Sequence, residues 1–245
     1  MRDFIEATIC ANEEIYNHIK DGITDELALE VSVGAGGDIS TKLDLLAEEI
    51  FVKYLSSFGV IESEESGIIG QGDAHIILDP IDGSSNALSG FPYFGTSVAL
   101  IDESGLLKYA IVCNLANGDI FVKEANKELV QGKLFSKDFS LVNEIKKPKI
   151  GLFEKAYANA KLVSLLDSEG LKFRASGAIA LSLAYARSVN YVLFVGEFRI
   201  YDFAAGLALC EGLEVIVEQD YVIVSKDKNI ATKIEELIKI IKEQE

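Results

Sequence analysis

Apolar residues in the first part of the chain fall at helical spacing. Phe4, Ile5, Thr8, Ile9, Ala11, Ile15 and Ile19 mark one face, and Leu43, Leu46, Ala47, Ile50, Phe51, Tyr54 and Leu55 mark another. Both segments are expected to be amphipathic helices laid against a sheet. Between them, Gly34-Ala35-Gly36-Gly37-Asp38 reads as a flexible loop, with Ser40 or Thr41 placed to cap the second helix. No strand of the right kind precedes these glycines, so they make a poor nucleotide-binding fingerprint. From Val60 onward short apolar runs at 74–79, 94–101, 106–113, 118–123 and 127–130 predict a meandering sheet, and Asn117-Gly118 is a hairpin signal. Beyond the polar, lysine-bearing stretch 136–148 the pattern alternates. Strands are predicted at 149–153, 190–195, 213–217 and 221–225, and helices at 155–166, 177–188, 201–211 and 228–243. The chain thus divides into an N-terminal α+β half, residues 1–137, and a C-terminal α/β half, residues 138–245.

Composition narrows the classes of function. With 49% hydrophobic residues and only three prolines in 245 positions, the chain can bury a large core and leaves little room for disorder. A net charge of −16 opposes nucleic acid and anionic membrane surfaces, so neither is an expected partner. Any anionic substrate needs a local cation. Cys10, Cys113 and Cys210 are odd in number and lie in apolar surroundings, which fits reduced thiols and a cytoplasmic location. No apolar run approaches the ~20 residues of a membrane helix, and no cleaved signal is expected.

The chemistry concentrates at Asp79-Pro80-Ile81-Asp82-Gly83-Ser84-Ser85-Asn86, directly after the apolar run Ile76-Ile77-Leu78. Two carboxylates three residues apart can converge if the chain turns sharply, and Pro80 presets such a turn. Oxygen ligands of this kind suit Mg²⁺. Gly83, Ser84 and Ser85 offer backbone N–H groups and hydroxyls where a helix can begin, which makes an anion site. The same residues also read as an acidic turn with Asp82 or Ser84 as N-cap. Further acidic positions flank apolar segments: Asp44 in the second helix, Glu64 and Glu65 after Val60-Ile61, and Asp202 at a helix start. Taken singly, Asp44 reads as a solvated helix carboxylate and Asp202 as a cap. Together they suggest a cluster. Two carboxylates ~4 Å apart repel by about 4 kcal/mol at an effective dielectric of 20, so such a cluster calls for protons or metal.

Three runs, Glu64-Glu65-Ser66, Asp79 to Ser84, and Tyr201-Asp202-Phe203-Ala204-Ala205-Gly206, resemble in order and spacing the signatures of the inositol monophosphatase family, which shares a superfamily with fructose-1,6-bisphosphatases. Thr41-Lys42-Leu43-Asp44-Leu45-Leu46-Ala47-Glu48 is similar to a further signature. The resemblance implies a layered αβαβα sandwich, often dimeric, and an Mg²⁺-dependent phosphatase using two or three ions. It places Glu64, Asp79 and the Ile81 carbonyl at a first metal. Asp79 is shared with a second that Asp82 and Asp202 also bind, and a looser third lies near Glu64. Ser84, with Asp44 accepting its proton, is implied to orient an attacking water that Glu64 also contacts, while Gly83, Ser84 and Ser85 grip the phosphate. Arg174, Gly177 and Ala178 match the segment lining the leaving-group pocket, and Arg199 is a further candidate substrate contact.

The resemblance implies a substrate that is a small polyol or sugar phosphate, inositol 1-phosphate first, with fructose-1,6-bisphosphatase or dual activity as the alternative. The wording of residues 42–47, 83–86 and 196–199 leans toward that alternative. A non-catalytic regulatory protein of the same fold is a third possibility. The sequence departs from the family in having Ser84 for threonine, Ala178 for a hydroxyl residue and Gly212-Leu213-Glu214 for a glycine pair. The lysine typical of adenosine-bisphosphate phosphatases after the Asp-Gly turn is absent.

Overall fold

A computed structural model describes residues 3–136 and 138–243. Asp3 caps helix α1 (Phe4–Ile19) by accepting from Glu6 N at 3.1 Å, and Phe4, Ala7, Ala11, Ile15 and Ile19 form its buried stripe. The glycine segment is more ordered than a flexible loop. It closes a hairpin between β1 (Glu30–Val33) and β2 (Ile39–Thr41), with Gly34 N donating to Asp38 O. Thr41 is the N-cap of α2 (Lys42–Leu55), as its hydroxyl chemistry predicted.

The main sheet has eight strands: β3 (Val60–Ser63), β4 (Gly67–Ile69), β5 (His75–Asp82), β6 (Gly95–Ile101), β7 (Leu107–Asn114), β8 (Asp119–Glu124), β9 (Val130–Lys133) and β10 (Ser140–Leu141). The order across it is β10-β9-β8-β7-β6-β5-β3-β4, with only β3 and β5 parallel. Short helix α3 (Ser84–Leu88) follows β5. The hairpin expected at Asn117-Gly118 joins β7 to β8, with Gly118 at φ +76°. The strand expected at 127–130 starts later, because residues 124–127 form the turn out of β8, closed by Lys127 N donating to Glu124 O.

The chain then builds β11 (Gly151–Glu154), α4 (Ala160–Ser168), β12 (Phe173–Arg174), α5 (Ile179–Ala184), β13 (Tyr191–Val195), α6 (Ile200–Leu209), β14 (Glu214–Val217), β15 (Tyr221–Ser225) and α7 (Lys228–Lys242). These strands form a second sheet in the order β12-β11-β13-β15-β14. The helices expected at 155–166 and 177–188 are both broken by 3₁₀ turns, at 156–158 and 186–188.

Alternation along β5 explains the layering. Ile76 and Leu78 pack with α1 and α2 on one face, while Ile77 packs with Leu181 of α5 and Ala205 and Leu209 of α6 on the other. A strand buried on both faces reads as a continuous apolar run, which is why Ile76-Ile77-Leu78 shows no alternation. Helices α5 and α6 also cover one face of the second sheet through Ile179, Leu183 and Phe203, and α4 and α7 cover its other face. The layers are therefore α1/α2, the eight-stranded sheet, α5/α6, the five-stranded sheet, and α4/α7, an αβαβα sandwich. Among the described residues no helix is long and apolar enough to cross a membrane.

Candidate active site

Asp79 and Asp82 converge by a different device from the proline turn expected. Side chains alternate along a strand, so two residues three apart would point to opposite faces. Here Asp79 pairs with Ser97 and Asp82 with Gly95, three residues against two. The extra residue is a β-bulge at Pro80-Ile81, and it returns Asp82 to the face of Asp79. Pro80 is accommodated there because a bulge leaves a residue outside the ladder. The sharp turn comes later, at Gly83, whose φ of +88° a side chain rarely adopts. A Cβ there would also lie 3.1 Å from the Gly177 carbonyl and 3.2 Å from that of Tyr93.

Glu64 extends the parallel pairing of β3 with β5 through Glu64 N to Leu78 O, at 3.0 Å. Asp202 sits in the first turn of α6, where Gly206 lets that helix lie close to Leu183 of α5. These elements bring ligand oxygens of Glu64, Asp79 and Asp202 within 4.8 Å of one another. Asp82 stands beside this triad, with its Oδ2 accepting from Leu181 N at 2.9 Å. All four carboxylates are buried.

Burial dominates their protonation. It pushes Glu64 up to about 7 despite the opposing charge of Arg199, with Asp202 adding to the rise. Asp79 is held well above the usual carboxylate range by burial and by Glu64, Asp82 and Asp202. Asp82 is raised by burial and by Asp202, although the Leu181 amide pulls the other way. Burial also raises Asp202 against the pull of Arg199. Four buried acids that resist ionisation together are poised to exchange protons for metal. Asp79 Oδ1 is buried without a hydrogen-bond partner, a costly state that a cation relieves. The donors are all oxygen, so the site fits a hard divalent ion.

Beside the cluster, Ser84 Oγ lies 2.7 Å from Asp44 Oδ1 and 3.0 Å from the Ile81 carbonyl. Asp44 Oδ2 accepts from both Thr41 N and Thr41 Oγ1 at 2.7 Å, which fixes the carboxylate. Gly83, Ser84 and Ser85 open α3, where the first N–H groups of a helix lack intrahelical partners. Asn86 Nδ2 donates to the carbonyls of Tyr93 and Ser176, tying this turn to the 174–178 segment. In that segment Gly177 is exposed, while Ala178 is buried with its methyl against Gly83. Arg174 is exposed and donates to the neighbouring Phe173 carbonyl. Arg199 lies among the carboxylates, within 2.5 Å of Asp38, 2.7 Å of Glu64 and 2.9 Å of Asp202.

Two supporting residues escaped the sequence reading. Glu154, buried at the end of β11, accepts from Gly177 N at 2.7 Å and Ser182 Oγ at 2.5 Å and so holds the 174–178 segment. It carries the same signal as Asp79, an acid closing an apolar strand. Glu48 accepts from Ser66 N and Oγ and braces the turn bearing Glu64.

The model of the inositol monophosphatase family matches residues 1–218. The chain belongs to the inositol monophosphatase family. Family relatives include the bifunctional NADP phosphatase/NAD kinase of Methanocaldococcus jannaschii, 29% identical over 248 aligned positions that cover 85% of this chain and 43% of that protein. The corresponding enzyme of Methanococcus maripaludis is 26% identical, covering 95% of this chain and 46% of its own length. The chain therefore spans less than half the length of these two relatives. The fructose-1,6-bisphosphatase/inositol-1-monophosphatase of Archaeoglobus fulgidus is 26% identical over 82% of this chain and 79% of that one. Among solved structures, the Thermotoga maritima IMPase superposes with a TM-score of 0.77 at 20% identity, covering 98% of this chain and 100% of that one. At that identity the likeness shows the fold, and it agrees with the layered sandwich described above.

Proposed function

We propose that this chain is an Mg²⁺-dependent phosphomonoesterase that hydrolyses small polyol or sugar phosphates, inositol 1-phosphate foremost, as a cytoplasmic homodimer. The observation that carries the reading is the convergence of Glu64, Asp79, Asp82 and Asp202, with an unpartnered Asp79 oxygen, beside the amides that open α3. Mg²⁺ ions held by Glu64, Asp79, the Ile81 carbonyl, Asp82 and Asp202 would supply Lewis acidity, activating water and offsetting phosphate charge.

The protein's own groups do the rest. Asp44, locked by Thr41, takes the single Ser84 hydroxyl proton, which leaves the Ser84 oxygen free to accept from a water and aim it at phosphorus. Glu64 would accept that water's other hydrogen bond, and the proton the water loses on attacking phosphorus ends on the leaving oxygen, which departs as the alcohol. The amides of Gly83, Ser84 and Ser85 grip the phosphoryl oxygens and strengthen as charge gathers on them. Arg174 and the exposed Gly177 backbone are the groups proposed to meet the leaving alcohol. Ala178, buried under Gly83, keeps the phosphate turn in place.

Two alternatives for the substrate follow from relatives of this chain. The Archaeoglobus fulgidus relative's name favours fructose 1,6-bisphosphate, and the names of the two bifunctional NADP phosphatase/NAD kinase relatives favour the 2′-phosphate of NADP. All three substrates are phosphate esters of a ring or sugar hydroxyl, so one catalytic centre serves each and the wall around the leaving group decides. A binding role without turnover is the third reading, and relatives named Nus factor SuhB keep it in view. Phosphate release from inositol 1-phosphate, fructose 1,6-bisphosphate, NADP and adenosine 3′,5′-bisphosphate separates these. Inositol 1-phosphate is expected to give the highest kcat/KM and the adenosine compound the lowest. Turnover of none of the four would favour the non-catalytic reading, as would a cellular phenotype that survives in Asp82→Asn.

A further inference from the structure

The Arg199 guanidinium is embedded in the carboxylate site. Its Nε donates to Asp202 Oδ2 at 2.9 Å and its Nη2 to Asp202 Oδ1 at 3.2 Å, so both oxygens of that carboxylate are engaged. Nη1 lies 2.7 Å from Glu64 Oε1 and 2.5 Å from Asp38 Oδ2. Asp38 closes the glycine hairpin, and Gly36 of that hairpin rests on Glu64, where an added Cβ would come within 2.6 Å of Glu64 Cγ. Backbone bonds from Ala35 N to Glu65 O and from Gly36 N to Glu64 O hold the hairpin on the same turn. The outer side of Glu64 is thus filled by a permanent cation and roofed by glycine backbone.

We propose that Arg199 is a built-in cation that takes the place of a third metal ion beside Glu64, so that the filled site holds two divalent ions and the hairpin is latched to it through Asp38. This inference rests on the phosphatase reading above. Two divalent ions balance the charges of Glu64, Asp79, Asp82 and Asp202, and the charge of Arg199 is offset by Asp38 at the exposed rim, so no carboxylate of the site is left uncompensated. A further ion at Glu64 would sit against the guanidinium and would have to displace it from two carboxylates. Unlike an ion, the guanidinium cannot dissociate, and its planar fork is matched to the two Asp202 oxygens. Burial disfavours its charge, but Asp202, Glu64 and Asp38 more than compensate and keep it protonated.

The test is Mn²⁺ stoichiometry, read by calorimetry and electron paramagnetic resonance in the presence of inorganic phosphate, on the wild type, Arg199→Lys and Arg199→Met. Wild type and Arg199→Lys are expected to bind two Mn²⁺ per chain, and Arg199→Met to bind a third. Hydrogen exchange in chelator adds a metal-free readout. Amides 34–38 should be protected in the wild type and at least tenfold faster in Arg199→Met. Three Mn²⁺ in the wild type, or unchanged stoichiometry and unchanged exchange in Arg199→Met, would overturn the inference and leave the phosphatase reading standing. A wild type that binds no Mn²⁺ would overturn both. The wild-type result decides even if Arg199→Met fails to fold.

Discussion

Ser84 and Asp44 show how much rests on single atoms. The hydroxyl has one proton and two possible acceptors, and the 2.7 Å contact with the Asp44 carboxylate against 3.0 Å with the Ile81 carbonyl settles which it favours. Removing the hydroxyl in Ser84→Ala is expected to lower kcat by roughly 10²-fold, within the usual range for general acid–base groups, with little change in KM. Ser84→Thr should retain wild-type kcat, because the oxygen stays where it is. Steady-state kinetics on the preferred substrate checks both. A Ser84→Ala enzyme with unaltered kcat would remove Ser84 from the mechanism. The Asp44 role was legible in the sequence only through the family signature, since an isolated helix aspartate gives no sign that it is buried. Glu154 carries the signal of Asp79, an acid closing an apolar strand, but the partners that give Glu154 and Glu48 their supporting roles lie across the fold, where a single sequence shows no pairing.

At the scale of elements, the β5 strand, its bulge and the α3 turn act as one part. The alternation rule predicts opposite faces for Asp79 and Asp82, so the sequence could announce two carboxylates but not the extra residue that aligns them. Gly83 then has to adopt φ +88°, and an added Cβ would lie 3.1 Å from the Gly177 carbonyl, closer than van der Waals contact. Gly83→Ala should destabilise the protein by about 1–3 kcal/mol through backbone strain and crowding, measured as a fall in the midpoint of chemical denaturation. Loss of activity should exceed what that destabilisation explains, because the phosphate-facing amides move with the turn. Helices and strands were legible wherever an apolar face repeats over many residues, as in α1, α2, β6 and β7. Elements held by a few backbone bonds were not. The β1–β2 hairpin, with every residue of β1 exposed, reads as a loop because its order comes from the contacts of Gly34 to Asp38 with Glu64, Glu65 and Arg199 rather than from its own hydrophobicity.

For the whole molecule, the buried acids link folding to pH and to metal. Glu64 has its folded value raised from 4.5 to about 7, and Asp79, Asp82 and Asp202 are raised as well. In the window between the ordinary and raised values the folded protein binds more protons than the unfolded chain, so stability is fullest below about pH 4.5 for these groups and is lost as pH rises through 7. In chelator, Tm is therefore expected to fall from pH 5 to pH 8, and Mg²⁺ should flatten the curve by replacing protons. Asp79→Asn, which removes one of the repelling charges, should flatten it without metal while abolishing turnover. A chelated wild type whose Tm rises across this window would contradict the electrostatics described here. The same clustering gives a protein of net charge −16 a local site for an anionic substrate, since its negative charge is concentrated where cations are to be held. The most direct test of the account is phosphate release from inositol 1-phosphate by wild type and Asp82→Asn, each with Mg²⁺ and with chelator. Wild-type turnover is expected to be abolished by chelator and restored by added Mg²⁺, with Asp82→Asn folded and inactive. Turnover that persists in chelator, or that survives in Asp82→Asn, would contradict it.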